Sequence, residues 1–331
     1  MRFAMPVRVT AACAASVLAV ATSGCGGQSD EDDGAGVSVI TGVYPFEWLT
    51  TQVGGDHVDV NNLTEPGVDP HALELSPRQT GQVSEADVAF YVSGLQPAVD
   101  DAIEQEGGRS ALDVAELVEL LPAEEEDDGH DHGEEDDNHG HDEEGAEHED
   151  EHGDHDHGAK DPHMWLDPNR MSQAAEGLAE RLAEVDPDHA EEYRANAETT
   201  TETLTGIDEE YSGTLADCES RDIVVNHAAF SYLAADYDLN QISVSGIDPD
   251  SEPSPARVAE VADLVEEHDV TTVFTETLAP PETAETIAEE ANVEVAVLDP
   301  LEGITEESPG DDYPSVMEAN LETLSSALRC S

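Results

Sequence analysis

The sequence predicts an α/β protein of two lobes, each a parallel sheet covered by helices, with one long helix joining them. Three observations predict this fold class. Short β-rich runs alternate with helical patterns before the middle of the 331-residue chain, the same alternation returns after the middle, and the middle itself is helical. Alternation of this kind is typical of parallel sheets, because the connection between two parallel strands is long enough to hold a helix.

Seven runs rich in β-branched residues are interpreted as strands, at 37–45, 57–64, 87–94, 221–230, 240–246, 270–276 and 292–299. Helical patterns occupy 255–269 and 280–292. Three helices begin with a capping residue followed by proline: Ser76 with Pro77, Asp167 with Pro168, and Ser254 with Pro255. Such starts lie after strands or loops, at the edge where open α/β sheets bind ligands.

The middle of the chain shows two helical periods. The first places Met171, Ala175, Leu178, Leu182 and Val185 on one face, and the second places Tyr193, Ala197, Thr200, Leu204, Ile207, Tyr211 and Leu215 on another. A continuous second helix would be roughly 45 Å long and would form a stiff link between lobes. We therefore expect an N-terminal lobe at 37–186, a linking helix at 187–217 and a C-terminal lobe at 218–331.

The charge of the chain is strongly negative, with 79 acidic residues against 11 Lys and Arg. Residues 124–157 hold 19 of these acids, but the rest of the chain still carries 60. The acidity therefore belongs to the whole protein, and it argues against nucleic acid as a partner, since phosphate binding needs basic patches. It is typical of a solvated surface in a high-salt habitat; the alternative is a specific acidic interface.

The N-terminus has the pattern of a signal peptide at 1–24, with Arg2 and Arg8 around a start that leads into a short apolar run. This run is too short to span a bilayer. It ends in "ATSGCGG", which resembles a lipoprotein cleavage site, although Thr22 stands where Leu is commonest. We expect a lipid on Cys25, residues 25–36 as a flexible tether, and a protein anchored at the extracytoplasmic face of the cell membrane; the alternative is secretion without lipid.

Two further cysteines, Cys218 and Cys330, remain once Cys13 leaves with the signal and Cys25 takes the lipid. In an oxidising exported compartment two such residues are expected to form a disulfide. The alternative is two free thiols.

Four residues in two pairs are candidate metal ligands. The tripeptide Asp-Pro-His ends at His71 and again at His163, and each proline restricts the backbone before its histidine. His227 ends one predicted strand and Asp299 ends another. Three imidazoles and one carboxylate suit tetrahedral zinc best, with nickel and copper also able to bind. His57, His189 and His268 have the surroundings of surface residues.

A low-complexity tract at 124–159 contains eight histidines among carboxylates and almost no apolar residues: His130, His132, His139, His141, His148, His152, His155 and His157. Such a segment cannot pack a core, so we expect a disordered loop. Our hypothesis is that it gathers zinc weakly and raises the local concentration near the ligands. The alternative is a solvated insertion with incidental metal affinity.

Six motifs in order, "GVDPHALELSP", "DPHMWLDPNR", "VNHAAFSYLAADYDL", "SEPSPARVAEV", "VFTETL" and "VLDPLEG", resemble the zinc-binding type of solute-binding lipoproteins of metal ABC importers, the cluster A-I or cluster 9 family. The resemblance implies metal in a cleft between two lobes. The implied ligands are His71, His163 and His227, with Asp299 or a water as the fourth. It also suggests that Glu276 accepts the outer N–H of a ligand imidazole.

The predicted function is capture of extracytoplasmic Zn²⁺ for delivery to a membrane permease and its ATPase, by a monomer that is not an enzyme. His227 favours zinc, because manganese members of the family usually have Glu there. One alternative is a manganese or iron importer component, and another is a zinc-buffering surface lipoprotein or adhesin. A zinc hydrolase is disfavoured, since four protein ligands leave no open position for water.

Overall fold

The computed structural model describes residues 36–106, 108–123, 160–249 and 253–331. The predicted signal peptide, Cys25, nearly all of the predicted tether and the eight histidines of the acidic tract lie outside the described residues.

Two parallel sheets form the framework, as predicted, and each has four strands. The first contains β1 (Val37–Thr41), β2 (Val58–Asn62), β3 (Val88–Tyr91) and β4 (Ala111–Asp113), in the order β2-β1-β3-β4. The second contains β5 (Asp222–Val225), β6 (Asn240–Ser243), β7 (Thr272–Thr275) and β8 (Glu294–Val297), in the order β6-β5-β7-β8. The two lobes therefore repeat one topology, in which the strand order reverses beside the first strand of each sheet.

Helices of the N-terminal lobe are α1 (Tyr44–Gly54), α2 (Pro77–Glu85), α3 (Pro97–Glu106) and α4 (Pro168–Val185). The predicted starts at Ser76 and Asp167 are confirmed, because each side chain accepts a hydrogen bond from a backbone N–H of the first turn. Strand β4 was not predicted, since three residues are too few to show a period.

Helix α5 (Ala190–Thr214) is 25 residues long, which corresponds to about 37 Å. It begins three residues later than expected, because residues Pro187–His189 form a 3₁₀ turn. The predicted face is buried at Tyr193, Ala197, Thr200, Leu204 and Tyr211, while Ile207 is half-buried. This face packs mainly on α4, whose own apolar face is buried from Met171 to Leu182.

The C-terminal lobe contains α6 (Ser231–Asp236), α7 (Pro255–Glu267), α8 (Glu282–Ala291) and α9 (Tyr313–Ala327). The predicted cap at Ser254 is confirmed by its hydrogen bond from Arg257 N–H. The predicted disulfide between Cys218 and Cys330 is also present, and it ties the segment after α5 to the chain end after α9.

Helix α9 contacts elements of both lobes. The Tyr211 hydroxyl on α5 donates to the Met317 carbonyl at 2.7 Å, and Tyr313 stacks on Trp48 of α1 with ring centroids 4.7 Å apart. Among the helices of the described residues, none combines the length and apolar character that a membrane span requires.

Candidate metal centre

Four side chains from four separate loops converge between the lobes: His71, His163, His227 and Glu302. One ligand atom from each lies within 4.8 Å of all the others. The Glu302 Oε1 atom is 3.1 Å from His71 Nε2 and 3.4 Å from both His163 Nε2 and His227 Nε2. The Nε2 atoms of His71 and His163 are 3.3 Å apart. A tetrahedron with metal–ligand bonds of 2.0–2.1 Å has edges of about 3.3–3.4 Å, and these four distances are close to that length.

The two Asp-Pro-His motifs adopt the same local turn. His71 N–H donates to Asp69 Oδ1 at 2.8 Å, and His163 N–H donates to Asp161 Oδ1 at 2.9 Å. Asp side chains commonly cap their own backbone two residues on in this way. The first motif is also held by buried Gln96, whose Nε2 donates to the Pro70 carbonyl at 3.2 Å. Each histidine is thus oriented by backbone contacts before any metal binds.

His227 lies two residues after β5, and Glu276 lies directly after β7, the neighbouring strand. This is the point where the strand order reverses, where α/β sheets place ligand sites. Glu276 Oε1 is 2.7 Å from His227 Nδ1 and accepts a hydrogen bond from its backbone N–H at 3.1 Å. Asp161 Oδ1 makes the equivalent contact with His163 Nδ1 at 2.8 Å. In both residues the outer nitrogen has a carboxylate partner and Nε2 is left facing the centre.

The site is buried and strongly charged. His163 and His227 are fully buried, and Glu302 is 3% exposed. Burial opposes the charged imidazolium, but Asp161 and Glu302 outweigh it and raise the pKa of His163; Glu276 similarly raises the pKa of His227 well above its usual range. Burial also opposes the Glu302 carboxylate, yet the three imidazoles hold its pKa well below its ordinary value. The Nε2 atom of His227 is shielded from water and lies 3.4 Å from Glu302 Oε1.

The carboxylate in this group is Glu302 and not Asp299, which corrects the sequence-based expectation. Asp299 is buried, but Thr277 Oγ1 donates to its Oδ2 at 2.6 Å and Leu301 N–H donates to its Oδ1 at 2.8 Å. Asp299 therefore stabilises the turn after β8, and this turn brings Glu302 to the histidines. The sequence motif "VLDPLEG" contains both carboxylates, and Glu302 could have been considered as a candidate because it follows Asp299 by three residues.

The other three histidines of the described residues lie outside this group. His268 is 3.2 Å from Asp222. His57 and His189, expected as separate surface residues, stack with ring centroids 3.7 Å apart and contact Glu192 and Asp186.

Metal binding to this centre is expected to release protons. The neighbouring carboxylates raise the pKa of both His163 and His227 in the metal-free protein, whereas a metal ligand must be neutral. Affinity should therefore rise with pH, and about one to two protons should leave per ion at neutral pH. The raised pKa values of these two histidines also stabilise the metal-free fold. This stabilisation is complete at a pH below the pKa of histidine in the unfolded chain, and it is lost as the pH rises through the pKa values in the folded protein. Calorimetry in two buffers of different ionisation enthalpy measures the release; equal heats in both buffers would contradict it.

A two-lobed α/β fold with a buried group of three imidazoles and one carboxylate between its lobes is typical of a metal-binding protein of the solute-binding class. The chain belongs to the family described as zinc-uptake complex component A, periplasmic (ZnuA), whose model matches residues 39–327.

Three comparisons illustrate the relationship. The zinc-binding lipoprotein AdcA of Streptococcus pneumoniae serotype 4 is 34% identical over 316 residues, covering 94% of this chain and 59% of the relative. The high-affinity zinc uptake system protein ZnuA of Bacillus subtilis strain 168 is 30% identical, covering 97% of this chain and 96% of the relative. The crystal structure of Zn(II)-bound AdcA from Streptococcus pneumoniae has a TM-score of 0.70 at 30% identity, over 89% of this chain and 58% of that one. The chain thus spans about three fifths of the length of the first of these relatives.

Proposed function

We propose that this protein captures Zn²⁺ outside the cytoplasm and delivers it to an ABC permease for uptake. The observation that carries this proposal is the buried group of three imidazole nitrogens and one carboxylate oxygen, which all lie within 4.8 Å of one another. Imidazole and carboxylate donors in a closed four-ligand set suit zinc, whereas manganese prefers more oxygen ligands. The relatives named for zinc binding and zinc uptake support the same metal.

The proposed ligands are His71, His163, His227 and Glu302. Asp161 and Glu276 are proposed to hold the outer nitrogens of two ligand imidazoles, which fixes their tautomer and raises their basicity. The N-terminal lobe at 37–186 supplies the first two ligands, and the lobe at 218–331 supplies the other two. The linking helix at 187–217 then limits the motion between them.

The protein is proposed to bind and release zinc without catalysing a reaction. Four protein ligands close the coordination sphere, whereas catalytic zinc sites keep one position open. The partners are a permease and its ATPase, and the chain acts as a monomer held to the extracytoplasmic face of the membrane by lipid on Cys25. The word lipoprotein in the name of one relative supports the anchor.

The acidic histidine-rich tract at 124–159 is proposed to be an accessory collector of zinc. The described residues on either side of it support this role, because Pro122 and Lys160 pair in an antiparallel bridge and Asp161 N–H donates to the Leu121 carbonyl at 3.0 Å. The residues that flank the tract are therefore held beside Asp161, whose carboxylate contacts the proposed ligand His163.

Zinc titration of metal-free protein, with and without residues 124–158, tests this division. We expect the shortened chain to keep one tight zinc site that excess manganese does not displace, and to lose only weak additional binding. The paired flanking residues make the deletion compatible with the fold, and thermal unfolding of both chains serves as the control. Loss of tight binding with the tract would favour a zinc-buffering surface protein instead.

A further inference from the structure

The turn that carries Glu302 contains a residue in an unfavourable backbone conformation. Leu301, directly before Glu302, has φ = 61°. This left-handed region is unfavourable for leucine, because Cβ approaches the following carbonyl oxygen. The Leu301 side chain is fully buried in the hydrophobic core. Such a conformation persists only where surrounding contacts enforce it, and these contacts identify what holds Glu302 in place.

Contacts within the C-terminal lobe hold the residues before Leu301. Asn320 of α9 exchanges two hydrogen bonds with the backbone of Asp299, at 2.9 and 2.7 Å. Thr277 and the Leu301 N–H occupy the two oxygens of the Asp299 side chain. The start of the turn is therefore fixed to its own lobe at Asp299.

One further contact comes from the segment that carries the ligand His163. Trp165, two residues after His163, is fully buried, and its Nε1–H donates to the Pro300 carbonyl at 2.7 Å. The Trp165 carbonyl in turn accepts a hydrogen bond from Tyr313 of α9 at 2.6 Å. Trp165 thus joins the segment of one ligand from the N-terminal lobe to the turn of another from the C-terminal lobe.

We propose that Trp165 is a positioning residue that keeps Glu302 on the bound metal, and that Leu301 withdraws Glu302 once the hydrogen bond from Trp165 breaks. This inference rests on the proposed function of the same site. When the lobes separate, the Pro300 carbonyl loses its donor and Leu301 relaxes to a favourable backbone conformation. The ligand set then falls from four to three, which couples lobe separation to metal release.

Zinc dissociation into excess chelator tests the role of Trp165. Trp165→Phe keeps an aromatic ring beside Phe46 but removes the N–H donor. We expect dissociation to accelerate about tenfold, as for the loss of one buried hydrogen bond. In a Glu302→Ala background the same substitution should change the rate less than about twofold, because coupled residues are non-additive. Tyr193→Phe is the control, since it removes a hydroxyl that donates to Asp186 from the same buried core, and it should leave the rate unchanged in both backgrounds.

The role of Leu301 is tested by a matched pair, Leu301→Ala and Leu301→Gly. Both variants lose the buried side chain, but only glycine adopts the left-handed conformation without cost. We expect the glycine variant to release zinc about fivefold more slowly than the alanine variant. A purely structural role would separate the two in thermal unfolding of the metal-free protein but not in zinc release.

Visible spectra of Co²⁺-loaded protein supply a readout of the ligand set. The Trp165→Phe spectrum should shift toward that of Glu302→Ala, whereas Tyr193→Phe should match the parent protein. Equal acceleration by Trp165→Phe in both Glu302 backgrounds, or identical zinc release from the two Leu301 variants, would overturn the inference alone. Absence of tight zinc binding in the parent protein would overturn the proposed function and this inference with it.

Discussion

Replacing His163 with alanine is expected to weaken zinc binding by a factor on the order of 10²–10³. Zinc sites with four protein ligands supply about 10–16 kcal/mol, so one ligand contributes roughly 2.5–4 kcal/mol. His163 is fully buried, and its Nε2 lies within 3.4 Å of both His71 Nε2 and Glu302 Oε1, so alanine would leave this position without a donor atom. Competition with a chelator of known zinc affinity measures the change.

His268→Ala is the matched control for this prediction, because His268 pairs with Asp222 outside the ligand group. It should leave the zinc affinity within about twofold of the parent protein, in the range of ordinary surface substitutions. Thermal unfolding of metal-free His163→Ala separates loss of a ligand from loss of the fold. Tight zinc binding by a folded His163→Ala protein would contradict the proposed site.

Removing the disulfide by the paired substitutions Cys218→Ser and Cys330→Ser is expected to lower the free energy of unfolding by about 4–5 kcal/mol. The bridge closes a loop with a sequence separation of 112 residues, and the chain-entropy model assigns that magnitude to a loop of this length. The melting temperature of the metal-free protein should fall by roughly 8–15 °C. Denaturant and thermal unfolding with and without reductant measure the effect.

The single variants Cys218→Ser and Cys330→Ser should each match the double variant, because either change breaks the same bond. Reductant should destabilise the parent protein by a similar amount and leave the double variant unaffected. Zinc affinity should change little, because the bridge joins the end of the α5 segment to the chain terminus and not to the ligand loops. Equal melting temperatures for the parent and the double variant would show that the bridge does not restrict the unfolded chain.

The acidic composition of the chain and the candidate zinc site act on metal ions in different ways. The 79 acidic residues attract cations in general, but only a closed donor set distinguishes one metal from another. We therefore expect tight zinc binding by the closed donor set between the lobes and only weak zinc binding by residues 124–158.

Local signals in the sequence were enough for the fold class and for three of the four grouped side chains. The alternation of strands and helices predicted two parallel sheets, because the spacing of apolar residues within each segment shows whether that segment is a strand or a helix. The paired Asp-Pro-His motifs predicted His71 and His163, since the turn that orients each histidine is formed within three residues. The serine–proline and aspartate–proline helix starts were predicted for the same reason.

The tertiary structure decided which carboxylate faces the histidines. From the sequence, Asp299 at the end of a strand was the natural candidate, and Glu302 lay in the turn beyond it. The choice depends on a left-handed Leu301, which no local preference of leucine predicts. The turn that contains Leu301 is held by Asn320, which binds the backbone of Asp299 from 21 residues away, and by Trp165, which binds the Pro300 carbonyl from 135 residues away. The contact of Asn320 forms when the C-terminal lobe folds, and the contact of Trp165 forms only when the two lobes pack together. The fourth position of the site is therefore a property of the assembled fold.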